Sequence, residues 1–202
     1  MQLFKKNKYP PHLQDNLPVG KQILIFSWEV VKVVVISLAI ILPVRYYLIK
    51  PFYVKGASME PNYYNYEYLI IDELSFRLGN PQRGDVVVLQ YPFEPSEYFI
   101  KRIIGLPGER IRIADGQVEI LDQQNSEGRV LTENYLAAGT KTLGDFDVTL
   151  KSDQYYVLGD NRMVSLDSRA FGPLSRQFIV GKTLLRGWPL TRFGLLNGEV
   201  NY

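Results

Sequence analysis

The chain has no cysteine, which excludes disulfides, thiolate-bound metals and a cysteine nucleophile. It has one histidine, His12, in a polar stretch ahead of every other signal. A lone imidazole so placed rules out a Ser-His-Asp triad within the folded part and a His-rich metal centre. Strong net charge is missing too. The formal balance is +2 at pH 7, and no basic patch is interleaved with aromatics, so nucleic acid is not an indicated partner. After residue 50 no helix-period segment runs longer than a few turns, and no internal repeat is visible. What is present is globular: 202 residues, 46% hydrophobic, with 14 Tyr and 10 Phe. That length allows one domain of ordinary size plus an appendage.

The appendage is N-terminal. Residues 1–22 are polar, with Lys5, Lys6, Lys8 and Lys21 against Asp15, and Pro10, Pro11 and Pro18 prevent a long helix. From Ile23 to Ile49 the chain is strongly apolar, and Val33 to Val44 is broken only by Ser37. About 20 apolar residues make a helix long enough for a hydrocarbon core of about 30 Å. Glu29 and Lys32 fall on one helical face, where they can pair. Pro43 and Arg45 mark the far end. A cleaved signal peptide fits poorly, because no small-x-small site comes after the run; a buried amphipathic helix is the other reading. The basic leader predicts a cytoplasmic N-terminus, with everything from about Lys50 onward on the outer side.

That remainder predicts β structure. Tyr66 to Asp72 and Val86 to Leu89 are rich in β-branched and aromatic residues, and Tyr155 to Leu158 is a further strand. Ile111 and Ile113, then Val118 and Ile120, alternate around Asp115-Gly116, a strong hairpin signal. Residues 121–149 are polar and Gly-punctuated, and read as an extended insertion with little catalytic content. Many short strands with Gly/Pro turns indicate a mostly β protein, an antiparallel sheet or barrel-like domain carrying one N-terminal transmembrane helix.

Three stretches could carry chemistry. In Tyr53-Val54-Lys55-Gly56-Ala57-Ser58-Met59-Glu60-Pro61 a small-residue turn lifts Ser58, and Pro61 stiffens the chain after the serine and biases Glu60 toward extended backbone. A hydroxyl so presented can act as a nucleophile if a base is near; a polar loop is the plainer reading. In Phe99-Ile100-Lys101-Arg102-Ile103-Ile104, strand alternation sets each cation among apolar neighbours. Arginine keeps its proton, but a buried lysine can be lowered from about 10.4 toward 7–8, the range of a general base. An edge-strand lysine reaching solvent is the alternative. The third stretch, Gly159 to Arg169, is dense in charge and hydroxyls: Asp160 and Asn161 can make an Asx-type turn. Asp167 and Arg169 can pair, and Ser165 can bond the lysine.

Taken together, Gly56-x-Ser58-Met59-x-Pro61, Arg83-Gly84-Asp85-Val86-Val87, Lys101 to Glu109 and Gly159-Asp160-Asn161-Arg162…Ser165-x-Asp167-Ser168-Arg169 resemble the bacterial type I signal peptidases (leader peptidases). All of that family's boxes occur in order over residues 56–172. The resemblance implies a membrane-anchored serine endopeptidase with a Ser/Lys dyad, removing signal peptides from exported preproteins at the outer face of the cytoplasmic membrane. The substrates would carry small residues at the first and third positions before the cut. Ser58 would be the nucleophile and Lys101 the general base, with Ser165 orienting the amine. Asp160, Arg162, Asp167 and Arg169 would hold the loop, and Met59 and Pro61 would give apolar cover. Neither cofactor nor metal is implied; the partners are preproteins and the lipid bilayer, and the chain would act as a monomer.

Three positions depart from the family pattern. Gly56 stands where some members carry a serine that helps form the oxyanion hole, so backbone N–H groups, that of Ser58 first and Gly56 second, would replace it. One such donor is worth about 3–4 kcal/mol. Asn62 stands where threonine is frequent and Phe99 where tyrosine is; neither change touches the Ser/Lys pair. A catalytically inactive, membrane-anchored β module that binds peptides is the reading from another class.

Overall fold

The computed structural model describes residues 18–43, 49–122 and 128–196. His12, the leader lysines other than Lys21, and Arg45 lie outside them. The chain divides into two units, 1–46 and 47–202.

The first unit contains α1 (Val19–Pro43). Its described part begins at Val19 rather than at the expected Ile23; residues 44–48, toward the expected far end at 49, lie outside the described residues. Residues Val19–Leu42 are long and apolar enough to cross a membrane. Their large apolar side chains stand exposed, from Val19 through Leu42, unlike those of a buried core helix. Lys32 Nζ meets Glu29 Oε1 at 2.6 Å, so the two charges neutralise each other within one turn.

The second unit is antiparallel β. Its strands are β1 (Ile49–Tyr53), β2 (Tyr68–Asp72), β3 (Val86–Tyr91), β4 (Glu94–Gly105), β5 (Arg110–Ala114) and β6 (Gln117–Leu121). Then come β7 (Arg129–Val130), β8 (Phe146–Thr149), β9 (Gln154–Leu158), β10 (Leu174–Ser175), β11 (Ile179–Trp188) and β12 (Gly194–Leu195). Two short helices, α2 (Leu74–Leu78) and α3 (Ser168–Phe171), interrupt them. The main sheet runs β1-β2-β11-β3-β4-β9-β10 with β12 on β11, and a smaller one runs β7-β6-β5-β8. The mostly β, antiparallel fold predicted from the turn spacing is what forms.

Local chemistry accounts for the hairpin between β5 and β6. Asp115 and Gly116 both have positive φ (54° and 84°) between the paired residues Ala114 and Gln117. That is the two-residue loop whose twist matches the strands. Residues 121–149 are more than a loose insertion. Their β7 and β8 pair with β6 and β5, and Leu131 joins the core of Ile111, Ile113, Val118 and Ile120. β7 is too short to leave a pattern, whereas β8 carries a brief alternation of Phe146 and Val148 with Asp147 and Thr149 that the polar surroundings mask.

Strand β4 organises the site. It lies between β3 and β9, with Lys101 opposite Val87, and Arg102 opposite Val86 and Leu158. Its outer half is exposed and its inner half buried. Ile103 packs with Val87, Leu89 and Val157, and Ile100 packs with Met59, Val54, Leu69 and Val88. Met59 is 1% exposed, and burial of such a side chain contributes about 2 kcal/mol. The residue after Ser58 is therefore an anchor in the core.

Candidate active site

The turn bearing Ser58 is built from two kinds of restraint. Below it, Met59 is plugged into the core; along it, Glu60 N–H donates to Ala57 O at 3.2 Å and the amides of Asn62 and Tyr63 donate to Met59 O at 3.0 and 2.9 Å. The segment after the serine is thus a turn, not the extended run expected from Pro61. Pro61 itself is exposed and is not cover over the serine. Gly56 enters the turn at φ +95°, a region that favours glycine. Its N–H donates to Asn65 Oδ1 at 3.1 Å, so it is not available to an oxyanion in this conformation. The Ser58 N–H has no acceptor among the described residues and is free to take that role.

Lys101 comes to this turn from β4. Its Nζ stands 2.9 Å from Ser58 Oγ and donates to Ile100 O at 2.8 Å. The residue is 3% exposed, and its Nζ is 5.2 Å from the centre of the Phe99 ring. Burial pushes its pKa down from the usual lysine value to about 8, although Asp167 and then Asp160 pull the other way. Desolvation of the charged form wins because the apolar neighbours exclude water while both carboxylates are bound to arginines. In the neutral state one N–H can serve Ile100 O while the lone pair accepts the Ser58 O–H. That is the arrangement of a nucleophile beside its base.

Asp160 takes a two-pronged contact from Arg102, Nε to Oδ1 at 2.8 Å and Nη2 to Oδ2 at 2.6 Å. Asn62 Nδ2 also donates to Asp160 Oδ2 at 2.8 Å, and to Tyr135 O at 2.8 Å. Asp160 therefore links the Ser58 turn to the strand carrying Lys101, instead of closing a local Asx turn. That local role falls to Asp167, which caps α3 through Arg169 N–H at 3.2 Å and accepts from Gly159 N–H at 3.1 Å. Arg169 Nε reaches Asp167 Oδ1 at 2.9 Å, as expected, and Nη2 donates to Arg162 O at 2.7 Å. Arg162 Nε donates to Gly159 O at 3.0 Å, and its guanidinium is held by Glu133 and Thr142.

Glu133, Tyr135 and Thr142 belong to the 121–149 segment, whose sequence gives no sign of nearness to the chemistry. Tyr135 also lies under the Arg102 guanidinium, 4.1 Å from its centre. No motif marks these residues; an isolated acid and an aromatic in a polar stretch give no local signal. Asn62 is equally silent in the sequence, where it is only a departure from the family pattern.

Ser165 does not make the expected contact with the lysine. Its Oγ is buried with no hydrogen-bond partner among the described residues. Instead Ser165 lies against Gly159, where a Cβ would come within 2.5 Å of both Ser165 Cβ and Ser58 O. Glycine is required at 159 so that this loop can approach the Ser58 backbone, and Asn161 N–H then donates to Ser58 O at 2.9 Å. A cavity of about 80 Å³ adjoins the pair, walled by Phe52, Val54, Leu69, Val88, Tyr98 and Phe99.

The comparisons with known proteins agree with the motifs. The family described as signal peptidase, peptidase S26, matches residues 27–188. A probable signal peptidase I-2 of Synechocystis sp. is 36% identical over 183 residues, 86% of this chain and 79% of that protein. Signal peptidase I of Leptolyngbya laminosa is 34% identical over 182 residues, 86% of each chain. A crystal structure of a signal peptidase I from Enterococcus faecalis is 30% identical with a TM-score of 0.43, covering 52% of this chain and 97% of that one.

Proposed function

The chain belongs to the signal peptidase family, peptidase S26, and on that premise we propose that it is a serine endopeptidase that cuts signal peptides from exported preproteins. Ser58 is the nucleophile and Lys101 the general base. The observation that carries this assignment is the 2.9 Å separation of Ser58 Oγ and Lys101 Nζ at an amine whose pKa burial holds at about 8.

In this reaction Lys101 Nζ takes the Ser58 proton as Oγ bonds to the scissile carbonyl carbon. The negative charge on the carbonyl oxygen faces the unpartnered Ser58 N–H. The resulting ammonium gives its proton to the departing amine nitrogen as the C–N bond breaks, leaving an ester on Ser58. Lys101, neutral again, deprotonates a water that attacks this ester, and Ser58 recovers its proton. Asp160, Arg162, Asp167 and Arg169 position these groups, holding the Ser58 turn and the 159–169 loop. The 80 Å³ cavity suits small side chains before the cut.

α1 anchors the protein in the cytoplasmic membrane as a single span. The lysine-rich leader favours a cytoplasmic N-terminus, which sets residues 50–202 on the other side. The serine, the lysine and every residue that holds them come from one chain, so a monomer suffices. The test is cleavage of a purified preprotein in detergent. Wild type releases the signal peptide at one site, and Ser58→Ala does not. A Ser58→Ala protein that cleaves as fast as wild type refutes the assignment.

A further inference from the structure

A second hollow adjoins the nucleophile turn. It has a volume of about 490 Å³ and is walled by Glu60, Pro61, Lys141, Leu143, Asn161 and Met163. It shares no residue with the smaller cavity beside Ser58 and Lys101. It is nevertheless next to the reacting atoms: Glu60 and Pro61 lie just past Ser58 in the chain, and Asn161 N–H holds Ser58 O.

Its walls are fixed, and of the charged groups on them Asp160 is taken up by Arg102 while Glu60 and Lys141 are not. Thr142 N–H donates to Gly116 O at 2.9 Å, and the stem of Lys141 packs against Gly116 so closely that an added Cβ there would lie 3.0 Å from it. Thr142 Oγ1 is at the same time held by Arg162. The 140–143 wall is thereby tied both to the β5–β6 hairpin and to the 159–169 loop. Among the described residues neither the Lys141 ammonium nor the Glu60 carboxylate has a hydrogen bond or ion pair. Leu143 and Met163 are exposed, at 53% and 67%. A fixed groove offering apolar contact and two unpaired charges of opposite sign has what an extended peptide needs.

An endopeptidase must hold chain on both sides of the bond it cuts. With small residues before the cut in the 80 Å³ cavity, the polypeptide after it leaves Ser58 by another route. From this we infer that the Glu60–Lys141 groove binds the segment of the preprotein beyond the cut, and that Lys141 selects an acidic side chain in it. Residues 137–143 of the inserted segment then form a substrate wall. This inference rests on the peptidase reading.

The test uses full-length protein in detergent and preprotein substrates identical up to the cut, with a single Asp or Lys walked through the first six positions after it. Wild type should show a higher kcat/KM for Asp than for Lys at one or two adjacent positions, by about two- to fivefold, the size of an exposed charge pair. Lys141→Gln should remove that preference and Lys141→Glu should invert it at the same positions. If wild type cleaves every substrate equally, or if Lys141→Glu keeps the Asp preference, the groove assignment is refuted while the peptidase stands. If wild type cleaves none of the substrates, the peptidase reading fails and takes this inference with it.

Discussion

Replacing Lys101 by methionine separates the lysine's chemistry from its cost. Burial holds the Lys101 amine at about 8 instead of 10.5, which corresponds to about 3 kcal/mol. The sign comes from proton counts. Below pH 8 the amine is charged in both folded and unfolded chains, and the folded state carries the whole burial penalty. Between 8 and 10.5 the unfolded chain still binds the proton that the folded one has lost, so stability rises with pH. Above 10.5 both forms are neutral and the penalty is gone. Lys101→Met has no proton to lose. The stability of wild type minus that of Lys101→Met should therefore climb by about 3 kcal/mol from pH 8 to 10.5.

The absolute difference at pH 7 is less clean, because methionine also leaves Ile100 O without its donor, which costs about 1–3 kcal/mol. That cost does not depend on pH and cancels from the slope. So do contributions from Tyr63, Tyr155 and Tyr156, whose burial raises their pKa values, since they are present in both proteins. Urea unfolding of both full-length proteins in detergent from pH 7 to 11, monitored by circular dichroism, measures the difference. Activity gives the matching curve. At pH 7 about one amine in ten is neutral, against roughly one in three thousand for an unshifted lysine, so wild-type kcat/KM should rise with its midpoint at about pH 8 and level off by about pH 9. Parallel stability curves, or an activity limb at pH 10 or higher, would refute the claim that burial prepares the base.

Two further substitutions probe the supports. Asp160→Asn leaves the buried Arg102 guanidinium without its carboxylate, and should lower unfolding free energy by about 3–5 kcal/mol; a loss under about 1 kcal/mol in chemical denaturation would show that the Arg102 charge does not depend on Asp160. Gly56→Ser must force φ +95° on a residue with a Cβ. It should cost about 1–3 kcal/mol of stability, visible as a lower unfolding midpoint, and an unchanged midpoint would mean the turn relaxes without strain.

Much of the fold is written locally. The β5–β6 hairpin comes from Asp115-Gly116 between alternating isoleucines and valines, and β3 and β9 come from runs of buried β-branched and aromatic residues. α1 reflects the apolar length of its sequence. β8 carries a short alternation of Phe146 and Val148 with Asp147 and Thr149, whereas β7 is not legible in the sequence, because two residues acquire their identity only from a partner in β6. Likewise Asn62 and Tyr135 become supports only when Asp160 and Arg102 are brought to them across the fold.

By itself the amino-acid sequence determined the family and the antiparallel β class, and it singled out Ser58 and Lys101 as the candidate hydroxyl and amine. Residue types at fixed spacings carry those facts without reference to distance. Tertiary structure alone decided that Ser58 Oγ and Lys101 Nζ, 43 positions apart, stand at 2.9 Å, that Ser165 turns to Gly159 rather than to the lysine, and that a polar insertion supplies groups that hold Asn62 and Arg162. Those outcomes depend on burial and pairing between distant strands, and desolvation of the lysine exists only once the core has closed around it.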